Sequence, residues 1–172
     1  METTILIERN EAMQLVAWKE LMALSIQRRR DIVKEILFYD ETPEEEVKQV
    51  DSLSEIFNHK IVDYLIKKLL CATNEYIEDE LKTLYNKNYM VVGEPILYDK
   101  CECCGYRTIE AHIGWDICPN CYWEDDGIKE LNKHSPVNRM TLQQGRDNFI
   151  EFEACSSEFV KYVKAGRKRY LR

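Results

Sequence analysis

Cys101-Glu102-Cys103-Cys104-Gly105-Tyr106, followed by Ile117-Cys118-Pro119-Asn120-Cys121-Tyr122-Trp123, decides the reading of this chain. It contains two Cys-x-x-Cys pairs separated by thirteen residues. Two cysteines so spaced can share one tight turn and aim both sulfurs at a single ion, and a second pair completes a tetrahedron. Gly105 permits positive φ just after the first pair, and Pro119 fixes φ inside the second. Cys101, Cys104, Cys118 and Cys121 are therefore expected to ligate a metal, with Zn²⁺ the expected ion. Four thiolates fill a tetrahedral zinc and leave no place for an activated water, so the expected role is structural.

Competing uses of these cysteines fit less well. Seven cysteines cannot all pair within one chain. The first ten residues carry Glu2, Glu8 and Arg9 and no apolar core of signal-peptide length. The expected location is thus the cytoplasm, where thiols stay reduced. A thioredoxin-like pair calls for one Cys-x-x-Cys opening a helix, whereas two pairs stand here in β-rich, aromatic surroundings. Iron is the less favoured metal: Cys104-Gly105-Tyr106 and Cys118-Pro119-x-Cys121 resemble rubredoxin turns, but Tyr122 stands where a rubredoxin has glycine and the pairs lie closer together. Cys103 and Cys155 are open to three readings, as spare buried thiols, alternative ligands or a disulfide. Cys71 reads as core packing.

Outward from the cysteines, the expected fold class is α+β, a helical bundle over residues 1–93 followed by a small zinc-ribbon-like β module with C-terminal helices over 94–172. Four or five helices are expected in the first part. Leu15, Trp18 and Met22 mark one stripe and Ile32, Val33, Ile36 and Leu37 another, with Ser25 dividing the two. Thr42-Pro43-Glu44-Glu45 and Ser52-Leu53-Ser54-Glu55 read as capping boxes, the second opening a helix with Phe57, Ile61, Tyr64, Leu65 and Leu69. Ile77, Leu81, Leu84 and Tyr85 mark a further helix after Thr73-Asn74.

From Tyr89 the signal becomes β-rich, at Tyr89–Val92, Ile96–Tyr98, Arg107–Ile109 and Trp115–Ile117. Gly93-Glu94-Pro95 is the expected boundary. Asp126-Gly127 reads as a turn and His134–Asn138 as loop. Thr141-Leu142-Gln143-Gln144 is a third capping box, for a helix lined by Leu142, Phe149 and Phe152. A last short helix with Phe159, Val160 and Val163 ends near Gly166, before a loose basic tail.

Charge narrows the function. The net charge is −7, and residues 1–90 hold 18 acidic and 12 basic side chains. Affinity for nucleic acid rests on Lys and Arg contacts to phosphate, so this balance disfavours it. No stretch is long and apolar enough to span a bilayer. Glu124-Asp125-Asp126 can be read as a Mg²⁺ site but more simply as a solvated turn, and Arg28-Arg29-Arg30 as a solvated helix face. His59, His112 and His134 are scattered, with His112 at most a neighbour of the metal. No nucleophile elbow, phosphate loop or His-Glu-x-x-His motif occurs, so no catalytic residue is assigned and no enzyme activity is expected.

The stretch from Cys101 to Cys155 resembles the bacterial cysteine-rich CPCC family. The resemblance is carried by Cys101-Glu102-Cys103-Cys104-Gly105-Tyr106, Ile117 to Gly127, Asn138, Thr141-Leu142, Arg146-Asp147-Asn148-Phe149 and Ala154-Cys155. Glu102 departs from it, standing where the family motif has proline, so the first turn is expected to be less rigid. The resemblance implies a zinc-binding module found in bacteria near toxin and immunity genes, with Cys101, Cys104, Cys118 and Cys121 as ligands. The expected function is a non-catalytic binding protein, an immunity protein that neutralises a cognate toxin domain such as a basic nuclease. The alternative is a nucleic-acid-associated zinc ribbon using Lys161, Lys164, Arg167, Lys168 and Arg169. Third stands a metal-dependent hydrolase using Glu124, Asp125 and Asp126.

Overall fold

The computed structural model describes residues 4–110, 116–163 and 169–172. Two compact units emerge, one of residues 1–70 and 74–94, the other of residues 71–73 and 95–172. The fold is α+β, with a helical first part and a small cysteine-centred β module carrying the later helix.

In the first unit, β1 (Ile5–Glu8) leads into α1 (Arg9–Ala23), α2 (Ile26–Tyr39), the single turn α3 (Glu44–Val47), a 3-10 turn (Glu55–Phe57), α4 (Asn58–Leu69), α5 (Asn74–Tyr85) and β2 (Tyr89–Val92). The core of α1 is not the expected stripe: Ala12, Met13, Val16, Ala17 and Leu21 are buried, while Trp18 is partly exposed and Met22 almost wholly so. α1 packs on α4 and α5. Alanines at that face let the helix axes approach closely, which the larger Leu15, Trp18 and Met22 would prevent. Ile32, Val33 and Leu37 of α2 and Ile61, Leu65 and Leu69 of α4 are buried as their spacing predicts.

The helix starts divide. Ser25 caps α2, its hydroxyl accepting from the Arg28 N–H at 3.1 Å. Neither Thr42 nor Ser52 caps a helix: α3 begins after Pro43 without a side-chain cap, and Ser54 opens only the 3-10 turn. The Ser52 and Ser54 carbonyls instead accept from Arg29, at 2.9 Å each. Arg29 is thus a tie within this unit and not a solvated face. Tyr89–Val92 pairs in parallel with Ile5–Glu8, a strand that falls in a stretch expected to be helical. The far edge of β2 is closed by α5, since Glu78 accepts from the Val91 N–H at 2.8 Å and Asn74 donates to the Val91 carbonyl at 3.3 Å.

Arg9 fastens this arrangement from inside. It is buried, and its guanidinium donates to the Leu69 and Leu70 carbonyls at 3.1 and 3.0 Å and to Asn74 Oδ1. Those carbonyls end α4, where the helix dipole also favours a cation.

In the second unit, β3 (Asp99–Lys100) pairs with β4 (Arg107–Ile109), β5 (His134–Ser135) pairs with β6 (Met140–Thr141), and α6 (Leu142–Phe152) is followed by a 3-10 turn (Ser157–Tyr162). Ile96–Tyr98 is not a strand; Ile96 and Leu97 are exposed and pairing begins at Asp99. His134–Ser135 is a strand where loop was expected. The capping box at Thr141 is complete, with both reciprocal bonds to Gln144. The last helix is a 3-10 turn, and Gly166 lies outside the described residues. The basic terminus is anchored: Arg169 and Tyr170 are buried, the Arg169 carbonyl accepts from the Thr73 N–H at 2.9 Å, and the Leu171 carbonyl from the Arg107 N–H at 2.8 Å.

Replacing Arg9 by methionine keeps the volume and removes the donors. The expected cost is about 2–4 kcal/mol, because buried carbonyls at the end of α4 lose a charged donor. Urea unfolding reads it; Arg9→Lys is expected to recover only part, since an ammonium cannot span the three acceptors.

Candidate metal centre

The two Cys-x-x-Cys segments fold into two copies of one turn. In the first, the Gly105 N–H donates to the Cys101 carbonyl and the Cys101 N–H to the Tyr106 carbonyl, both at 2.8 Å. In the second, Tyr122 donates to Cys118 and Cys118 to Trp123, again at 2.8 Å. The fifth residue of each turn must take a positive φ: Gly105 stands at +74° and Tyr122 at +68°.

The turns bring four sulfurs together. Cys101 and Cys121 Sγ lie 3.7 Å apart, as do Cys104 and Cys118, and all four sulfurs lie within 4.8 Å of one another. A tetrahedral ion with sulfurs at about 2.3 Å sets neighbouring sulfurs at about 3.8 Å. A disulfide would bring a pair to about 2.05 Å, and none of the seven cysteines is joined in one. The four side chains are buried. Among the described residues, this quartet is the group able to hold a metal ion.

Neighbouring polar groups suit a charged sulfur cluster. Thr108 Oγ1 of β4 lies 3.0 Å from Cys118 Sγ, and Asn120 Nδ2 donates to Cys104 Sγ at 3.5 Å. Toward a thiolate the Thr108 hydroxyl can only donate, so both groups steady negative charge on sulfur. Hydrogen bonds from Cys101, then from Cys118 and Cys121, hold the Cys104 thiol far below its ordinary range. Its bond to Cys104 pushes Cys101 up, and burial pushes Cys121 up. So crowded a set cannot ionise together unless a cation compensates it.

A scaffold of residues outside the motif fixes the turns. Arg146 donates through Nε to the Glu102 carbonyl at 2.9 Å, and its Nη2 stands 3.7 Å from the Glu102 carboxylate. The non-proline residue of the first turn is thereby clamped to α6. Asn138 acts as a substitute strand: its Oδ1 accepts from the Glu124 N–H at 2.9 Å, and its Nδ2 donates to the Glu124 carbonyl and to Ser135 Oγ, each at 2.8 Å. The Cys155 N–H donates to the Cys121 carbonyl at 2.6 Å, and Asn148 Nδ2 to the Cys155 carbonyl at 2.8 Å. The Cys155 thiol is pushed up to about 12 by burial and then by Cys103.

The other candidates fall elsewhere. Asp125 and Asp126 each accept a backbone N–H two residues on, from Gly127 and Ile128 at 3.2 Å, which makes them turn residues. Asp116 is raised by burial, then by Glu110 and Asp125. His59 stacks edge-on with Trp18 at 5.6 Å in the helical unit, and His134 is in β5. His112, Trp115, Lys164, Arg167 and Lys168 lie outside the described residues. Of the five cations read as a nucleic-acid surface, Arg169 is buried and the exposed Lys161 lies over the Tyr162 ring at 4.8 Å.

Gly145 is the residue of this site that spacing did not reveal. A Cβ there would stand 2.7 and 2.9 Å from ring atoms of the buried Trp123 and 3.3 Å from Cys103 Sγ. A glycine inside an amphipathic helix is the one hint in the sequence. Gly145→Ala gains roughly 1 kcal/mol of helix propensity. The clash with a rigid ring is expected to cost about 1–3 kcal/mol or more and so to win. Thermal unfolding should show a lower midpoint, and Trp123 fluorescence should shift; a raised midpoint would contradict the contact.

No curated protein and no solved structure matches the chain. Residues 99–169, which span the cysteine quartet, Asn138, Gly145 and Cys155, match the family described as Cysteine-rich CPCC.

Proposed function

We propose that the chain is a non-catalytic zinc protein that works by binding another protein, and that it is a bacterial cytoplasmic immunity protein for a toxin domain. The observation that carries the non-catalytic part is the donor set. Cys101, Cys104, Cys118 and Cys121 would hold Zn²⁺ with four sulfurs, and the ion would supply cross-linking and charge compensation only.

Charge supports the choice of partner. The residues of the helical unit include 19 acidic and 12 basic side chains, whereas the cysteine-rich unit has 12 of each. The whole negative balance thus lies on the unit that does not hold the metal. A nuclease toxin must carry a cationic surface to hold phosphate. An acidic binder is drawn to that surface, associates quickly and competes with the substrate. Among the described residues no helix is long and apolar enough to cross a membrane.

The metal is tested first. Purified protein is expected to contain one zinc per chain by elemental analysis, and a red, redox-active preparation would mean iron instead. Removing the ion should unfold residues from about 95 to 155, because closed zinc sites contribute roughly 10–16 kcal/mol. Hydrogen exchange should show that loss while α1, α4 and α5 keep their protection. Unchanged protection throughout would sink the structural role.

The immunity reading has its own test. This reading expects a cationic toxin domain encoded by an adjacent gene; co-expression of the chain with that domain should restore growth, and reversing charges on the helical unit should abolish the rescue. Cells that die at the same rate with and without the chain would end this reading.

A further inference from the structure

The helical unit exposes large apolar side chains at the end of α2 and in the 3-10 turn before α4. Phe38 is 77% exposed, Tyr39 72% and Ile56 76%. The two rings touch edge to face, with centroids 5.8 Å apart. Asp40, next in sequence, takes the Lys60 ammonium at 2.6 Å, and Lys60 stands one helical turn after Ile56. This ion pair ties the end of α2, which carries the two rings, to the first turn of α4, which follows Ile56. Exposed apolar groups that cluster mark interaction sites far more often than scattered ones do.

The rim of the group is acidic. Glu41, Glu44, Glu45, Glu46 and Glu55 are all exposed. Glu44 is paired with Lys48 at 3.0 Å, with both side chains open to solvent. Aromatic anchors in a surround where exposed carboxylates outnumber the two lysines, Lys48 and Lys60, have the anatomy of a protein docking site.

The sign of the rim selects the occupant. A second copy would bring like charges together, while phosphate-rich nucleic acid and anionic lipid headgroups would be repelled. A cationic protein would be attracted, and could cover the rings. We propose that Phe38, Tyr39 and Ile56, with the carboxylates of the α2–α3 segment, form the docking surface for a basic protein domain. This rests on the binding-protein reading above and places its contact on a named surface.

The test uses the full chain, immobilised and exposed to soluble protein from the cells that make it. Whatever it retains is identified, purified and titrated by calorimetry over a range of salt. Three versions are compared with the natural chain: Phe38→Ser with Tyr39→Ser, then Glu44→Gln with Glu45→Gln and Glu46→Gln, and a control on α5, Glu75→Gln with Asp79→Asn. All the changed side chains of the first two sets are exposed, so circular dichroism and urea midpoints should be unaltered. The expected partner is basic. Loss of the two rings should weaken binding at least about thirtyfold, neutralising the rim should slow association about tenfold and flatten its salt dependence, and the control should bind as the natural chain does. Hydrogen exchange should show new protection at residues 38–48 and 55–60.

Equal affinity of the ring variant and the natural chain, with protection elsewhere, would overturn this surface and leave the binding-protein reading standing. Dimerisation of the chain that disappears in the ring variant would overturn it in favour of a second copy. Retention of nothing by any version would overturn both.

Discussion

Four buried sulfurs held 3.7 Å apart in pairs are the constraint on which the cysteine-rich unit depends. Its strands are two or three residues long, too short to stand as sheets by themselves. What they do instead is aim side chains. β4 carries Thr108 to Cys118, the β5–β6 hairpin carries Asn138 to the backbone of Glu124, and α6 presents Gly145 to Trp123 and Arg146 to Glu102. A metal site worth roughly 10–16 kcal/mol rivals the ~5–15 kcal/mol net stability of an ordinary domain. A unit braced by an ion held there would have no need of a large apolar core.

The helical unit stands on different physics. Its interior is built where alanines of α1 allow close helix packing, and the buried cation Arg9 satisfies carbonyls that the end of α4 leaves open. Nothing in that core constrains the outer faces of α2, α3 and α5, which is where carboxylates collect. The sulfur quartet and the excess of negative charge therefore lie on different units.

Local chemistry was legible in the sequence, and distant chemistry was not. The cysteine turns could be read because both ligands of each pair, the glycine and the proline lie within a few residues of each other. The Thr141 box and the break at Ser25 are local in the same sense. Parallel pairing of Ile5–Glu8 with Tyr89–Val92 joins segments more than eighty residues apart, and no local pattern announces it. The buried face of α1 is not legible in hydrophobic spacing, because Ala12 and Ala17 weigh little on any hydrophobicity scale, although small size is what that interface selects. Thr42 and Ser52 had the right residues for caps, but Arg29 takes the Ser52 carbonyl and shapes that segment by a tertiary bond. A basic tail at the end of an acidic chain reads as loose; backbone bonds through the Arg169 and Leu171 carbonyls fix it instead.

Tyr122 shows how a departure from the expected turn residue is accommodated. The fifth position of each turn needs φ near +70°, and Gly105 takes it at no cost. A tyrosine there is strained by roughly 1–2 kcal/mol. Its ring, however, stacks on Tyr162 with centroids 5.0 Å apart and lies 4.7 Å from Phe159. Such ring pairs contribute about 0.5–1.5 kcal/mol each, enough to offset the backbone strain. The side chain that a rubredoxin turn omits is the one that hooks the 3-10 turn of residues 157–162 onto the second cysteine turn. Tyr122 is therefore a fastening built at the point of strain, and the aromatic residues of the C-terminal segment are there to meet it.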